Sequence, residues 1–326
     1  MKSIRIGILF CGILLYLAFV KIDFSVVWHS IEQTNPLYLT IGILVFLIGL
    51  IVRAFLWRVL LNLDSPTNLY HLFKAIVVGH MGNNILPFRG GELLRVYMLK
   101  KTDNISAATA LSCIAVERVF DLISLSIFTG LLSLFINIPE LLRGTIVAIA
   151  LLGFSVFVII IYSINTFSLP KLIDWVLKFC PPNQRERWGM ILKNLAEGLS
   201  SLKRRTNLSQ VLFLSLACWG LTCFSIYWTL KAYNLNGLPV MSLSVLVILN
   251  IGFMMPMIPA ALGVYQFFTI LALAPFQIDK SIALGFSFIL QAVDFIPPLV
   301  LGLVFISGED IGKIFPLRLL ATDKKF

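Results

Sequence analysis

Charge is what this chain has least of. Asp, Glu, Lys and Arg make up 13% of its 326 residues against 59% hydrophobic ones, and the mean hydropathy is +0.94. A chain this apolar has too little polar surface to cover a water-soluble core, which excludes a soluble globular fold and places it in a membrane. Histidine is as sparse: His29, His71 and His80 are the whole complement, and no two have metal-ligand spacing. There is no Cys-x-x-Cys pair, and Cys11, Cys113, Cys218 and Cys223 sit in apolar runs, which suits small core residues and argues against a disulfide or metal framework. Also missing are Gly-x-Ser-x-Gly, His-Glu-x-x-His and a Walker-type phosphate loop, so neither an enzyme nor direct use of ATP is expected, and no cofactor or metal.

What is present is a series of apolar runs. Stretches 4–20, 37–61, 105–136, 145–164, 208–230, 241–257 and 282–306 approach or exceed the roughly 20 residues needed to cross a bilayer. Backbone groups in hydrocarbon must be satisfied within their own segment, so these are helices. Lys2 and Arg5 precede the first run, but no small-x-small cleavage site follows before Lys21, so it reads as a retained anchor. Arg58, Lys74, Arg89, Arg95, Lys100 and Lys101 cluster between the second and third runs, and a second basic cluster fills 165–207. Connections around 137–140 and 234–239 are nearly uncharged. By the positive-inside rule both termini are expected on the cytoplasmic side of a bacterial-type inner membrane, and the net charge of +10 is accounted for by topology and anionic lipid, with no nucleic acid partner. Within 166–207, Trp188, Ile191, Leu192, Leu195, Leu199 and Leu202 recur at helical spacing among basic residues, as in an amphipathic helix lying on the inner surface.

Two stretches break the apolar pattern with helix breakers: Gly82-Asn83-Asn84-Ile85-Leu86-Pro87-Phe88-Arg89-Gly90-Gly91-Glu92, and Pro256-Met257-Ile258-Pro259-Ala260-Ala261-Leu262-Gly263-Val264-Tyr265-Gln266. Given the charge topology, the first must return to the side it left, so it is a re-entrant hairpin, and the second makes an even number of crossings or a hairpin opening outward, which sets the two hairpins on opposite faces. An aspartate follows each at matching distance, Asp121 lying 34 residues after Pro87 and Asp294 35 residues after Pro259. A hairpin followed by an acid-bearing span, repeated upside down, is the inverted-repeat plan of transporters with a mid-membrane site. The expected fold is therefore all-α and polytopic, a single transmembrane domain over 1–326. About six spanning helices carry two oppositely inserted hairpins, with repeat halves at about 66–136 and 238–306 joined by the 166–207 linker.

In the first hairpin, Asn83 and Asn84 tolerate turns, Pro87 stops the helix, and Gly90-Gly91 permits reversal. Glu92 then falls in the first turn of the returning helix with Arg95 on its face. The free N–H groups there, with Arg89 and Arg95, either receive a lipid phosphate or leave those arginines to snorkel to the headgroups. Glu117, Arg118 and Asp121 sit well inside a span, where each ionisable group costs on the order of 3 kcal/mol and needs a partner or a cavity. Arg118 reaches Asp121 at i,i+3, leaving Glu117 or Asp121 for Arg89, Arg95 or substrate. Asp294, near Gln291 and ahead of Pro297-Pro298, is the matching acid of the second half, with a proton-carrying role as one possibility. The candidate site is thus Asn84, Arg89, Glu92, Arg95, Glu117, Arg118, Asp121, Gln266 and Asp294, framed by Pro87, Gly90, Gly91, Pro256, Pro259 and Gly263.

The run Pro87-Phe88-Arg89-Gly90-Gly91-Glu92-x-x-Arg95, then Glu117-Arg118-x-x-Asp121, then Pro259 through Gly263-Val264, resembles the membrane domain of the bacterial lysylphosphatidylglycerol synthetases, over essentially the whole chain. That resemblance implies a domain that moves an aminoacylated lipid to the outer leaflet, without the soluble synthase. One position departs: the family's Pro-x-x-x-Gly-x-x-Glu ends here in Gln266. The expected function is a flippase or scramblase for a phospholipid or lipid-linked intermediate. Its partner would be an anionic or aminoacylated phospholipid or a polyprenyl phosphate-type lipid, with a lipid-synthesis enzyme as a further partner. The alternative is a noncatalytic accessory subunit of a lipid or glycan pathway.

Overall fold

The computed structural model describes residues 12–61, 67–86, 90–136, 208–235, 238–254 and 261–307, with a few isolated positions between 144 and 189. The hairpin tips with Pro87, Arg89, Pro256 and Pro259, the run at 145–164 and the 166–207 linker lie outside these residues, apart from isolated positions. Every regular element among the described residues is helical, as the composition requires: α1 (Gly12–Phe19), α2 (Phe24–Glu32), α3 (Pro36–Leu61), α4 (Leu69–Ile85), α5 (Gly91–Asp103), α6 (Ala107–Ser133), α7 (Leu208–Ala232), α8 (Pro239–Gly252), α9 (Val264–Leu273) and α10 (Lys280–Ile306).

Among the described residues, α3, α7 and α10 are long and apolar enough to cross a bilayer, and α1 with α2 makes a pair bent by 88°. α6, with 27 residues, is as long as α10, but Glu117, Arg118 and Asp121 interrupt its apolar run near its centre. α8 stops at Gly252 after 14 residues and α9 has 10. At 1.5 Å of rise these are about 21 and 15 Å long, so over its described residues neither helix alone reaches across the roughly 30 Å core.

α3 and α7 pack antiparallel along a small-residue seam, with Ser225 Oγ donating to the Gly42 carbonyl at 2.7 Å and Gly49 facing Leu221. Ser124 of α6 meets Ser215 of α7 through their hydroxyls at 2.9 Å. The two hairpins are built alike, α4 against α5 and α8 against α9. At the first crossing Gly91 lies so close to α4 that a β-carbon there would collide with the Gly79 carbonyl and the Asn83 amide nitrogen. Gly91→Ala is therefore expected to spring the hairpin apart, read as a rise in protease sensitivity of the α4–α5 segment and a loss of at least ~2 kcal/mol of stability. A variant with wild-type protection would show that the crossing yields more easily than its geometry indicates. In the second hairpin Gly252 meets Phe268 and Val264, and Gly263, at φ 84°, turns the chain into α9.

α10 is the axis on which both hairpins sit. α4 runs antiparallel along its C-terminal half, with Tyr70 and Phe73 against Phe305, Met81 against Gly302, and His80 and Asn84 at Asp294. α9 covers its N-terminal half, with Tyr265 at Asp294, Gln266 at Gln291, and Ile270 packed in the cluster that holds Leu284. The broken ends of the two hairpins meet at Asp294, near the midpoint of a 27-residue helix about 40 Å long.

Candidate functional site

Glu117 is fully buried, and burying a carboxylate without partners is prohibitive, so the surrounding sequence has to supply them. It does so from two neighbouring helices. Arg53 of α3 donates to Oε1 at 2.7 Å, Arg95 of α5 to Oε2 at 2.8 Å, and the indole of Trp57 to Oε2 at 3.0 Å. Arg53 and Trp57 are one turn apart on α3 and so share a face. The Arg95 guanidinium also lies 4.9 Å from the Trp57 ring centroid. Arg95 is 3% exposed, so it does not snorkel to a headgroup and does not belong with the loop cations that set topology.

At the next position, Arg118 bridges Glu92 at 2.5 Å and Asp121 at 3.2 Å. Asp121 also accepts from the Trp219 indole of α7 at 3.0 Å and lies 3.6 Å from Arg53. Arg53, Arg95 and Arg118 thus stand against Glu92, Glu117 and Asp121, three charges of each sign in one network joining α3, α5 and α6. Its Glu117 end is closed off, whereas the Arg118 and Glu92 side chains are 37% and 25% exposed, giving the network an accessible edge. Glu92 stands in the first turn of α5, where the sequence places it and where the helix dipole favours an anion.

The second cluster is centred on Asp294. His80 Nε2 lies 3.1 Å from its Oδ1, and the Tyr265 hydroxyl donates to its Oδ2 at 2.7 Å. The Asp294 carbonyl would normally accept from residue 298, but Pro298 has no N–H. Asn84 fills the gap, donating its side-chain amide to that oxygen at 3.2 Å. α4 accordingly continues through Asn83 and Asn84 to Ile85, and these residues are not the turn that their composition predicts: the Asn84 amide serves another helix and not its own backbone.

Gln266 is fully buried, accepts from the Gly263 N–H at 2.8 Å and donates to Gln291 at 2.9 Å. Gln291 stands three residues before Asp294, as Arg118 stands three before Asp121. Each hairpin's second helix therefore grips the acid-bearing helix at the same relative position, by Glu92 with Arg118 in one half and by Gln266 with Gln291 in the other. The carboxylate absent at Gln266 is matched by a cation absent at Gln291.

The structure brings Glu92, Arg95, Glu117, Arg118 and Asp121 together, and Asn84, Gln266 and Asp294 around the second centre, while Arg89 lies outside the described residues. Sequence reasoning missed Arg53, Trp57, His80, Trp219 and Tyr265. Arg53 carried a signal, since an arginine inside the apolar 37–61 run meets the same criterion that singled out Glu117.

The family described as the lysylphosphatidylglycerol synthase transmembrane region matches residues 4–302. A UPF0104 membrane protein of Methanocaldococcus jannaschii is 24% identical over 96% of this chain and 96% of its own length. One from Methanothermobacter thermautotrophicus is 22% identical over 93% and 92%. The glycosyltransferase AglD of Haloferax volcanii is 28% identical over a shorter stretch, 39% of this chain and 21% of AglD. No solved structure matches the chain. This all-helical, multi-pass membrane protein belongs to the lysylphosphatidylglycerol synthase transmembrane-region family.

Proposed function

We propose that the protein translocates a phospholipid or lipid-linked intermediate between leaflets of the cytoplasmic membrane, as a flippase or scramblase and not as an enzyme. The observation that carries this reading is the Arg118–Glu92 edge, an accessible cation and anion at mid-span on a closed charged base. Arg118 receives the headgroup phosphate, and Glu92 balances it or takes a cationic headgroup, while Arg53 and Arg95 hold Glu117 beneath. The acyl chains stay in the bilayer. Two hairpins on opposite halves of α10 suit an inverted repeat that exposes one site to each side in turn.

The test is the purified protein in liposomes holding a fluorescent phospholipid, a lysylated phosphatidylglycerol analogue included. Accessibility to dithionite or protease reports movement. Wild type is expected to move lipid, and Glu92→Gln and Arg118→Ala to lose at least about tenfold in rate, the worth of one charge-assisted contact of ~1.5 kcal/mol. Folded wild type that moves no lipid overturns the proposal. The second reading, an accessory subunit of a lipid or glycan pathway, draws on the stretch shared with the glycosyltransferase AglD. It predicts a stable complex with a synthesis enzyme and no movement by the purified chain.

A further inference from the structure

α2 takes no part in either polar centre, yet it is the most sharply two-faced of the short helices. We infer that α2 is a membrane-surface helix whose Phe24 and Trp28 insert into the lipid at the end of the bundle where α3 begins and α7 ends. The inference does not depend on the translocase reading.

Its placement is set by bonds to the ends of the spans. α1 and α2 meet at 88°, with Lys21 at φ 59° between them. Lys280, the first residue of α10, donates to the carbonyls of Leu17 at 2.9 Å and Val20 at 2.6 Å, which fixes the end of α1 to the start of α10. The Asp23 N–H then donates to Ser281 Oγ at 3.2 Å. At the far end of α2 the Gln33 carbonyl accepts from the Asn234 amide at 2.9 Å, and the Asn35 N–H donates to the Ala232 carbonyl at 2.7 Å. α2 therefore runs from the start of α10 to the end of α7 and the start of α3, across the ends of three spans and in line with none of them.

Helical spacing puts Phe24, Val27, Trp28 and Ile31 on one apolar stripe and Ser25, His29 and Glu32 on a polar stripe beside it. The protein covers half of the apolar stripe. Val27 is buried in a cluster with Leu284 of α10, and Ile31 packs on the same cluster, whereas Phe24 and Trp28 are 61% and 65% exposed. Phe24 rests on Phe19 of α1, with ring centroids 5.9 Å apart, so the bare half continues round the bend the exposed apolar face that Ile13, Tyr16 and Leu17 give α1. The Trp28 indole donates to Glu32 at 2.6 Å, toward the polar stripe. An indole with its N–H turned to the wet side and its ring bare matches the bilayer interface, where one end of the side chain is apolar and the other hydrated. As the second half of a bent span, α2 would hold exposed Asp23 and Glu32 in hydrocarbon at a heavy cost. Lying flat, it leaves them in water and sinks the two aromatics into lipid.

Tryptophan quenching of the full chain in phosphatidylcholine nanodiscs tests the inference, with the Trp28 signal taken as wild type minus Trp28→Phe. When the acyl chains are brominated near the headgroup, this signal is expected to fall at least about twofold, because a surface helix sinks its apolar face ~5–10 Å into the headgroup and acyl boundary. Aqueous iodide is expected to leave it nearly unchanged. His29→Trp in the Trp28→Phe background places an indole on the polar stripe and is expected to reverse both responses. A Trp28 signal quenched by iodide and not by bromine overturns the inference, since the face then stands in water. A signal quenched by neither overturns it too, since protein then covers the face. Equal responses from positions 28 and 29 also overturn it, since α2 would then present no sorted faces to the bilayer.

Discussion

Glu117→Ala is expected to lower stability by ~3–5 kcal/mol, the cost of removing one partner from a buried ion pair. The substitution strands Arg53 and Arg95, two guanidiniums that the carboxylate neutralises at 2.7 and 2.8 Å, and leaves the Trp57 N–H unpaired. Among the described residues neither arginine has another full carboxylate to turn to: Arg53 has there the 3.6 Å contact with Asp121, which Arg118 already shares. Glu117→Gln keeps the shape and one acceptor while leaving the network with excess positive charge, so its loss is expected to fall between alanine and wild type. Unfolding in lipid nanodiscs followed by tryptophan fluorescence reads both. An alanine variant as stable as wild type would mean that water enters the cluster and screens the arginines.

The second large effect concerns Gln266. Placing a glutamate there puts an uncompensated charge in a fully buried position beside a neutral partner, a cost on the order of 3 kcal/mol for a charge at mid-span. Gln266→Glu combined with Gln291→Arg rebuilds across the second hairpin the pair that Glu92 and Arg118 make across the first, with Asp294 at i,i+3 from the new arginine as Asp121 is from Arg118. The double variant is expected to recover at least ~2 kcal/mol relative to the sum of the single losses, the upper range of coupling for contacting residues. A double-mutant cycle on unfolding free energy measures this directly. Strictly additive losses would show that the two grips are alike in sequence position alone.

Much of this arrangement is legible in the amino-acid sequence. Glycine and proline in otherwise apolar chain mark the two hairpins, because hydrocarbon tolerates a broken helix only where protein or a cavity re-satisfies its backbone. Glu117, Arg118 and Asp121 stand out by their cost. Partnership across elements is not legible: that Arg95 turns inward to Glu117 while Glu92, three residues earlier, meets Arg118, depends on how α5 crosses α6. His80 gives no local signal either, since a lone histidine in apolar chain acquires meaning only from Asp294, 214 residues away. Asn83 and Asn84 mislead, because side-chain amides that suit a turn serve equally to bond a neighbouring helix.

The Asn84 bond to the Asp294 carbonyl also bears on biosynthesis. Pro298 gives the last span a backbone acceptor that it cannot satisfy by itself, a defect worth several kcal/mol in hydrocarbon, and the cure is carried on a segment synthesised some two hundred residues earlier. α4 is thus synthesised before α10, and the last span without it would keep one backbone acceptor unsatisfied. Pro298 thereby ties the backbone of the C-terminal half to a side chain of the N-terminal half through one carbonyl.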